Sequence, residues 1–102
     1  MEHGFEWDPI KANTNIKKHG ISFELATDVF DDPMAVTIFD EDASHSEEDR
    51  WITIGLVQNK LYVVAVHTYK DVTRDSLTIR IISARLATKH EIKQYEETNY
   101  AR

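Results

Sequence analysis

Two arginines, Arg80 and Arg85, stand in the apolar run Thr78–Tyr95, TIRIISARLATKHEIKQY, where Val or Ile would sit by default. A guanidinium is a planar fork of donors that stays charged at any working pH and matches a phosphate group. A short strand carrying two such forks, followed at once by a helix with basic and acidic side chains, points to binding or cleavage of a polyphosphate. Lys18-His19, preceded by Lys17 and followed by Gly20, offers a phosphate contact and a proton carrier. A helix C-terminus also favours positive charge through its dipole, so the same pair has a structural reading. His67, in VVAVHTY, suits acid–base work beside Arg80, or the role of a satisfied interior histidine.

Regular elements must position these groups. Asp8 is a good N-cap and Pro9 fits the first helical position, so a helix runs from there through Ile16 and Lys17 to Gly20. Ser22 caps a second helix that continues through Phe30 and ends at Asp31-Asp32-Pro33, and the pair forms an αα-hairpin. The short strands that follow are Ala35–Phe39, Arg50–Val57, Leu61–His67 and Leu77–Arg85, with a hairpin turn at Gln58-Asn59-Lys60. Thr88 with Glu91 three residues on makes a capping box, starting a helix that reaches about Asn99. With a β-like segment at Phe5-Glu6-Trp7, the order is β-α-α-β-β-β-β-α.

Strand parity bears on the arginines. In a regular strand period two sends Arg80 and Arg85 to opposite faces. A bulge in the SAR segment, or a strand ending at Ala84, would bring both to one groove. Without either, one arginine belongs to the site and the other to a structural ion pair. Arg80 is the favoured phosphate ligand, because Thr78 and Ile82 share its face and are less apolar than Leu77, Ile79 and Ile81. Glu91 is explained by its capping box, and Tyr95 packs its ring on the sheet with the hydroxyl at the rim.

The net charge of −6 conceals an asymmetry. Residues 28–49 carry nine acids and no Lys or Arg, whereas residues 50–102 carry nine bases against five acids. The basic half suits phosphate. Asp40, Asp42 and Ser44 match the first, third and fifth positions of a calcium loop, but His45 and Trp51 stand where Gly and Glu are required, so no metal site is expected. With 102 residues and no cysteine, the chain is read as one domain, residues 1–102, without disulfides or thiolate metal sites. No secretory signal or membrane-spanning apolar run is present, so a cytoplasmic protein is expected.

The segments FEWDPIKANTNIKKHGISFELATDVFDDP, RWITIG and IRIISARLATKHEIKQYEE resemble the BrnT family of toxins over about residues 5–97. Where the family often has an Arg after the strand ending in VHT, this chain has Lys70, with Arg74 later. The resemblance implies an α+β, RelE-like fold: a small antiparallel sheet packed against an N-terminal αα-hairpin and a C-terminal helix. It also implies a bacterial endoribonuclease that needs neither metal nor cofactor and inhibits translation. Its partner would be a BrnA-like antitoxin, a ribbon-helix-helix DNA-binding protein, in a heterotetramer. RNA can be cut without metal because its own 2′-hydroxyl attacks the adjacent phosphate; the protein positions the strand, moves protons and stabilises the phosphorane. On this reading Lys18, His19, His67, Arg80 and Arg85 are the catalytic candidates, and Lys17, Arg50, Lys89 and Tyr95 contact the RNA. The antitoxin is expected on the basic sheet-and-helix edge rather than on residues 40–49. The alternative is a non-catalytic toxin of the same fold that binds a protein target such as gyrase.

Overall fold

The computed structural model describes residues 2–41, 49–70 and 72–100. Most of the acidic loop, including Asp42, Ser44, Glu47 and Glu48, lies outside the described residues.

After strand β1 (Glu2–Glu6), helix α1 (Pro9–His19) begins where the sequence places it. Asp8 Oδ1 accepts the Ile10 N–H at 2.8 Å, and Gly20, at φ 71°, closes the helix by donating its N–H to the Ile16 carbonyl at 2.8 Å. Ser22 caps α2 (Phe23–Thr27) through the Leu25 N–H at 3.0 Å. The expected α-helix through Phe30 is not what forms: beyond Thr27 the chain tightens into a 3-10 turn, Asp28–Asp31. The reason lies at its end, where Asp32 precedes Pro33 and takes an extended conformation (φ −76°, ψ 114°), so the last turn closes on short-range bonds.

Strands β2 (Val36–Phe39), β3 (Trp51–Val57), β4 (Leu61–Lys70) and β5 (Ser76–Leu86) then form an antiparallel meander. Gln58 and Asn59, both at φ 56°, turn the β3–β4 hairpin. The sheet order is β1-β5-β4-β3-β2. β1 runs parallel to β5, Glu2 opposite Ser76 and Glu6 opposite Arg80, so the sheet is mixed rather than antiparallel throughout. The helices after β1 carry the chain across one face to the far edge, and the four-strand meander returns it beside β1 in the same direction.

The sheet is covered on both faces. On one, Ala12, Ile21, Phe23, Ala26 and Val29 pack on Val57, Val63, Ala65, Ile79, Ile81 and Ala84. On the other, Tyr95 of α3 (Lys89–Tyr100) packs on Ile54 and Val64. The capping box is formed, with the Thr88 N–H donating to Glu91 Oε1 at 2.9 Å and the Glu91 N–H to Thr88 Oγ1 at 3.2 Å. Among the described residues no helix is long and apolar enough to cross a membrane.

Candidate functional site

The register of β4 on β5 shifts between Val66 and His67: Val66 faces Ser83 while His67 faces Ile81, which leaves Ile82 as an extra residue. This bulge reverses the parity of β5. Arg80 lies opposite Thr68, and Arg85 opposite Val64. Thr68 and Val64 are four apart on a regular strand, so both arginines, with Ser83 between them, emerge on one face of the sheet.

Beyond the end of β1, the free edge of β5 is taken by α1. Asn15, 5% exposed, substitutes for a strand there. Its Oδ1 accepts the Ala84 N–H at 3.1 Å, and its Nδ2 donates to the Ala84 carbonyl at 2.7 Å and the Ile21 carbonyl at 2.9 Å. This clamp sets the C-terminal end of α1 against the bulge and leaves a groove of about 230 Å³ lined by Lys11, Thr14, Asn15, Lys18, His19, Ile82 and Ser83. Lys18 and His19 are therefore brought to the bulged strand. Lys17 lies outside the groove lining, exposed on the same helix.

Lys11, Thr14, Asn15 and Ser83 were not singled out from sequence. The signal for three of them was present: Lys11, Thr14, Asn15 and Lys18 follow the i, i+3, i+4, i+7 spacing of one helix face. Ser83 had no such signal, because its direction depends on the bulge.

The expected positive edge of β5 is largely compensated. Arg80 Nη1 lies 2.6 Å from Glu6 Oε2, a partner 74 residues away that strand pairing supplies, and Lys70 Nζ reaches the same oxygen at 3.4 Å. The Arg80 hydrogen bond is the main cause holding the Glu6 carboxyl below its usual range. Arg85 forms a two-pronged pair with Glu91, at 2.7 and 2.9 Å, which keeps Glu91 at a pKa of about 2. Arg85 thus anchors the start of α3 to β5. Among the described residues, the basic side chains that line the groove, Lys11, Lys18 and His19, belong to α1.

His67 does not line the groove. It is fully buried on the face covered by α1 and α2, opposite Ile81, whereas Arg80 is on the other face, so the two do not meet across neighbouring strands. Its Nε2 is 2.7 Å from Thr53 Oγ1, its ring lies edge-on between Phe30 and Tyr69, and burial lowers its pKa to about 4. Tyr95 is also a core residue, 7% exposed, so it offers RNA no open surface. Its hydroxyl donates to Asp32 Oδ2 at 2.7 Å rather than lying free at the rim, and burial raises its pKa further. Burial works against ionisation of Asp32, but the Leu56 N–H, the Tyr95 hydroxyl and the Met34 N–H outweigh it and hold the carboxyl low. Arg50 is half-buried just before β3, and Lys89 is exposed at the first residue of α3; neither lines the α1 groove.

A family profile described as "Ribonuclease toxin, BrnT, of type II toxin-antitoxin system" matches residues 7–91. The chain is also similar to the Brucella abortus ribonuclease toxin BrnT, solved at 1.1 Å resolution, with 27% identity and a TM-score of 0.57, covering 87% of this chain and all of that one. No curated protein matches it.

Proposed function

Because the chain belongs to the BrnT family of ribonuclease toxins of type II toxin–antitoxin systems, we propose that it cleaves RNA in the groove between α1 and the bulge of β5. The observation that carries this reading is the bulge at Ile82, which turns Ser83 to the face it shares with Arg80 and Arg85 while Ile82 and Ser83 line the groove with Lys18 and His19. In this reading the scissile phosphate sits over Ile82 and Ser83. Lys18 and Lys11 hold its oxygens, and His19 exchanges the proton of the attacking 2′-hydroxyl or the leaving oxygen. The Glu6 carboxylate occupies the Arg80 fork as a phosphate would, so the incoming backbone competes with it for that guanidinium. Arg85 is held by Glu91 and orders the strand rather than the substrate. We assign His67 and Tyr95 to the core, and Lys17 and Lys89 to peripheral contacts with the RNA chain.

Cleavage on this scheme uses the 2′-hydroxyl as nucleophile and calls for no metal. The residues form one domain of RelE-like architecture, and the protein acts in the cytoplasm. A BrnA-like ribbon-helix-helix antitoxin neutralises it in a heterotetramer. The deciding experiment is incubation of partner-free protein with RNA in the presence of a chelator. Cleavage that disappears in Lys18→Ala and His19→Ala, with melting temperatures unchanged, supports the reading. A folded wild-type protein that inhibits growth but cuts no RNA would instead support a toxin that binds a protein target.

A further inference from the structure

A second surface lies away from the groove. Phe39 of β2, Trp51 of β3 and Tyr69 of β4 share the sheet face that also carries His67, at the end of the sheet where these strands run out. Phe39 and Tyr69 remain 38% and 37% exposed, with Trp51 half-buried between them. Their rings form a row, with centroids 5.0 Å apart from Phe39 to Trp51 and 5.8 Å from Trp51 to Tyr69. The row continues inward through His67 at 5.1 Å and Phe30 at 5.0 Å, so its buried end is fixed by the core. A surface ordered in advance loses little side-chain entropy when something docks on it.

Charge decides what that is. Among the described residues from Gly20 to Asp49 there are seven acids and no Lys or Arg. Glu41 and Asp49, both exposed, lie two residues from Phe39 and Trp51, and Asp31 is exposed beside Phe30. Of the two cations next to the row in sequence, Lys70 is paired with Glu6 and Arg50, before Trp51, is half-buried. A polyanion is repelled by such surroundings, whereas a cation is drawn to them and to the negative face of an aromatic ring. β2 is also an outer strand whose segment, Val36–Phe39, carries neither charge nor proline to discourage pairing.

We propose that the Phe39–Trp51–Tyr69 row and the adjoining edge of β2 dock an extended, arginine-bearing protein segment. Its backbone adds to β2, and its guanidiniums lie over the rings within the acidic field. The surface is separate from the groove assigned to RNA and does not depend on that assignment.

Fluorescence anisotropy with the full-length chain tests this, using a labelled short peptide alternating Arg and Thr, its Glu-for-Arg counterpart, and a labelled oligodeoxyuridylate. The Arg peptide is expected to bind and the Glu peptide not. Phe39→Leu and Tyr69→Leu, which keep apolar bulk but remove the ring, should each weaken binding roughly fivefold, as for loss of an exposed cation–π contact. Phe39→Tyr should stay within about twofold of wild type, and Tyr100→Leu, at a 94% exposed ring on the last helix, should change nothing. Failure of the Arg peptide to bind, equal binding in both leucine variants, or an equal loss in Tyr100→Leu would overturn the proposal. So would weakened oligonucleotide binding in Phe39→Leu with peptide binding intact, which would make the row a base-stacking surface.

Discussion

Mild acid should destabilise this protein through His67 before its carboxylates titrate. The imidazole has an ordinary pKa of 6.5 and one of about 4 when folded, because burial disfavours the cation. A base depressed in this way contributes stability that is complete above about pH 6.5 and is lost as pH falls towards 4. Between about pH 7 and pH 5 the linkage relation gives a loss of roughly 2 kcal/mol. In a protein of 102 residues that lowers the melting temperature by roughly 10 °C. His67→Leu should remove the slope in this window. Its cost at neutral pH should be modest, about 1 kcal/mol, because Thr53 Oγ1 keeps its bond to Thr37 Oγ1 at 2.8 Å. Urea unfolding from pH 7 to pH 5, on wild type and variant, gives both quantities, and an NMR titration of the His67 ring gives the pKa directly. A wild-type stability that is flat across this range, or a ring titrating near 6.5, would refute the account and restore His67 as a proton carrier.

Four further outcomes follow from the same geometry. Asn15→Ala strands the Ala84 N–H and carbonyl at the β5 edge and the Ile21 carbonyl after α1, and should cost about 3 kcal/mol in urea unfolding while opening the groove. Glu91, held at about 2 against an ordinary 4.5, contributes stability that is present above about pH 4.5 and lost as pH falls to 2, on the order of 2–3 kcal/mol; Glu91→Gln should flatten the acid-unfolding curve there. Gly55→Ala places a Cβ 2.7 Å from Val29 Cβ and 2.8 Å from its Cα, so a loss of about 1–3 kcal/mol by thermal melting is expected. Lys18→Ala and His19→Ala, both exposed, should shift stability by no more than about 0.5 kcal/mol while removing RNA cleavage in a single-turnover assay.

Local chemistry made much of the framework legible. Asp8-Pro9 and Gly20 bound α1, Ser22 starts α2, and Thr88 with Glu91 starts α3, because each signal is satisfied by atoms within a few residues. The β3–β4 hairpin follows from Gln58-Asn59 for the same reason. The basic face of α1 was legible in principle, since helical spacing alone aligns Lys11, Thr14, Asn15 and Lys18.

What stayed hidden depends on partners distant in the chain. The motif-bearing segments determined the family and placed Lys18-His19 at the end of a helix. Tertiary structure alone decided that β1 runs parallel to β5, bringing Glu6 onto Arg80, and that Ile82 bulges, giving Arg80 and Arg85 a common face. It also decided that His67 is enclosed by Phe30, Tyr69 and Thr53. A strand fixes only that successive side chains alternate; its neighbours, and any residue added to the register, determine which face is buried and which charge is met.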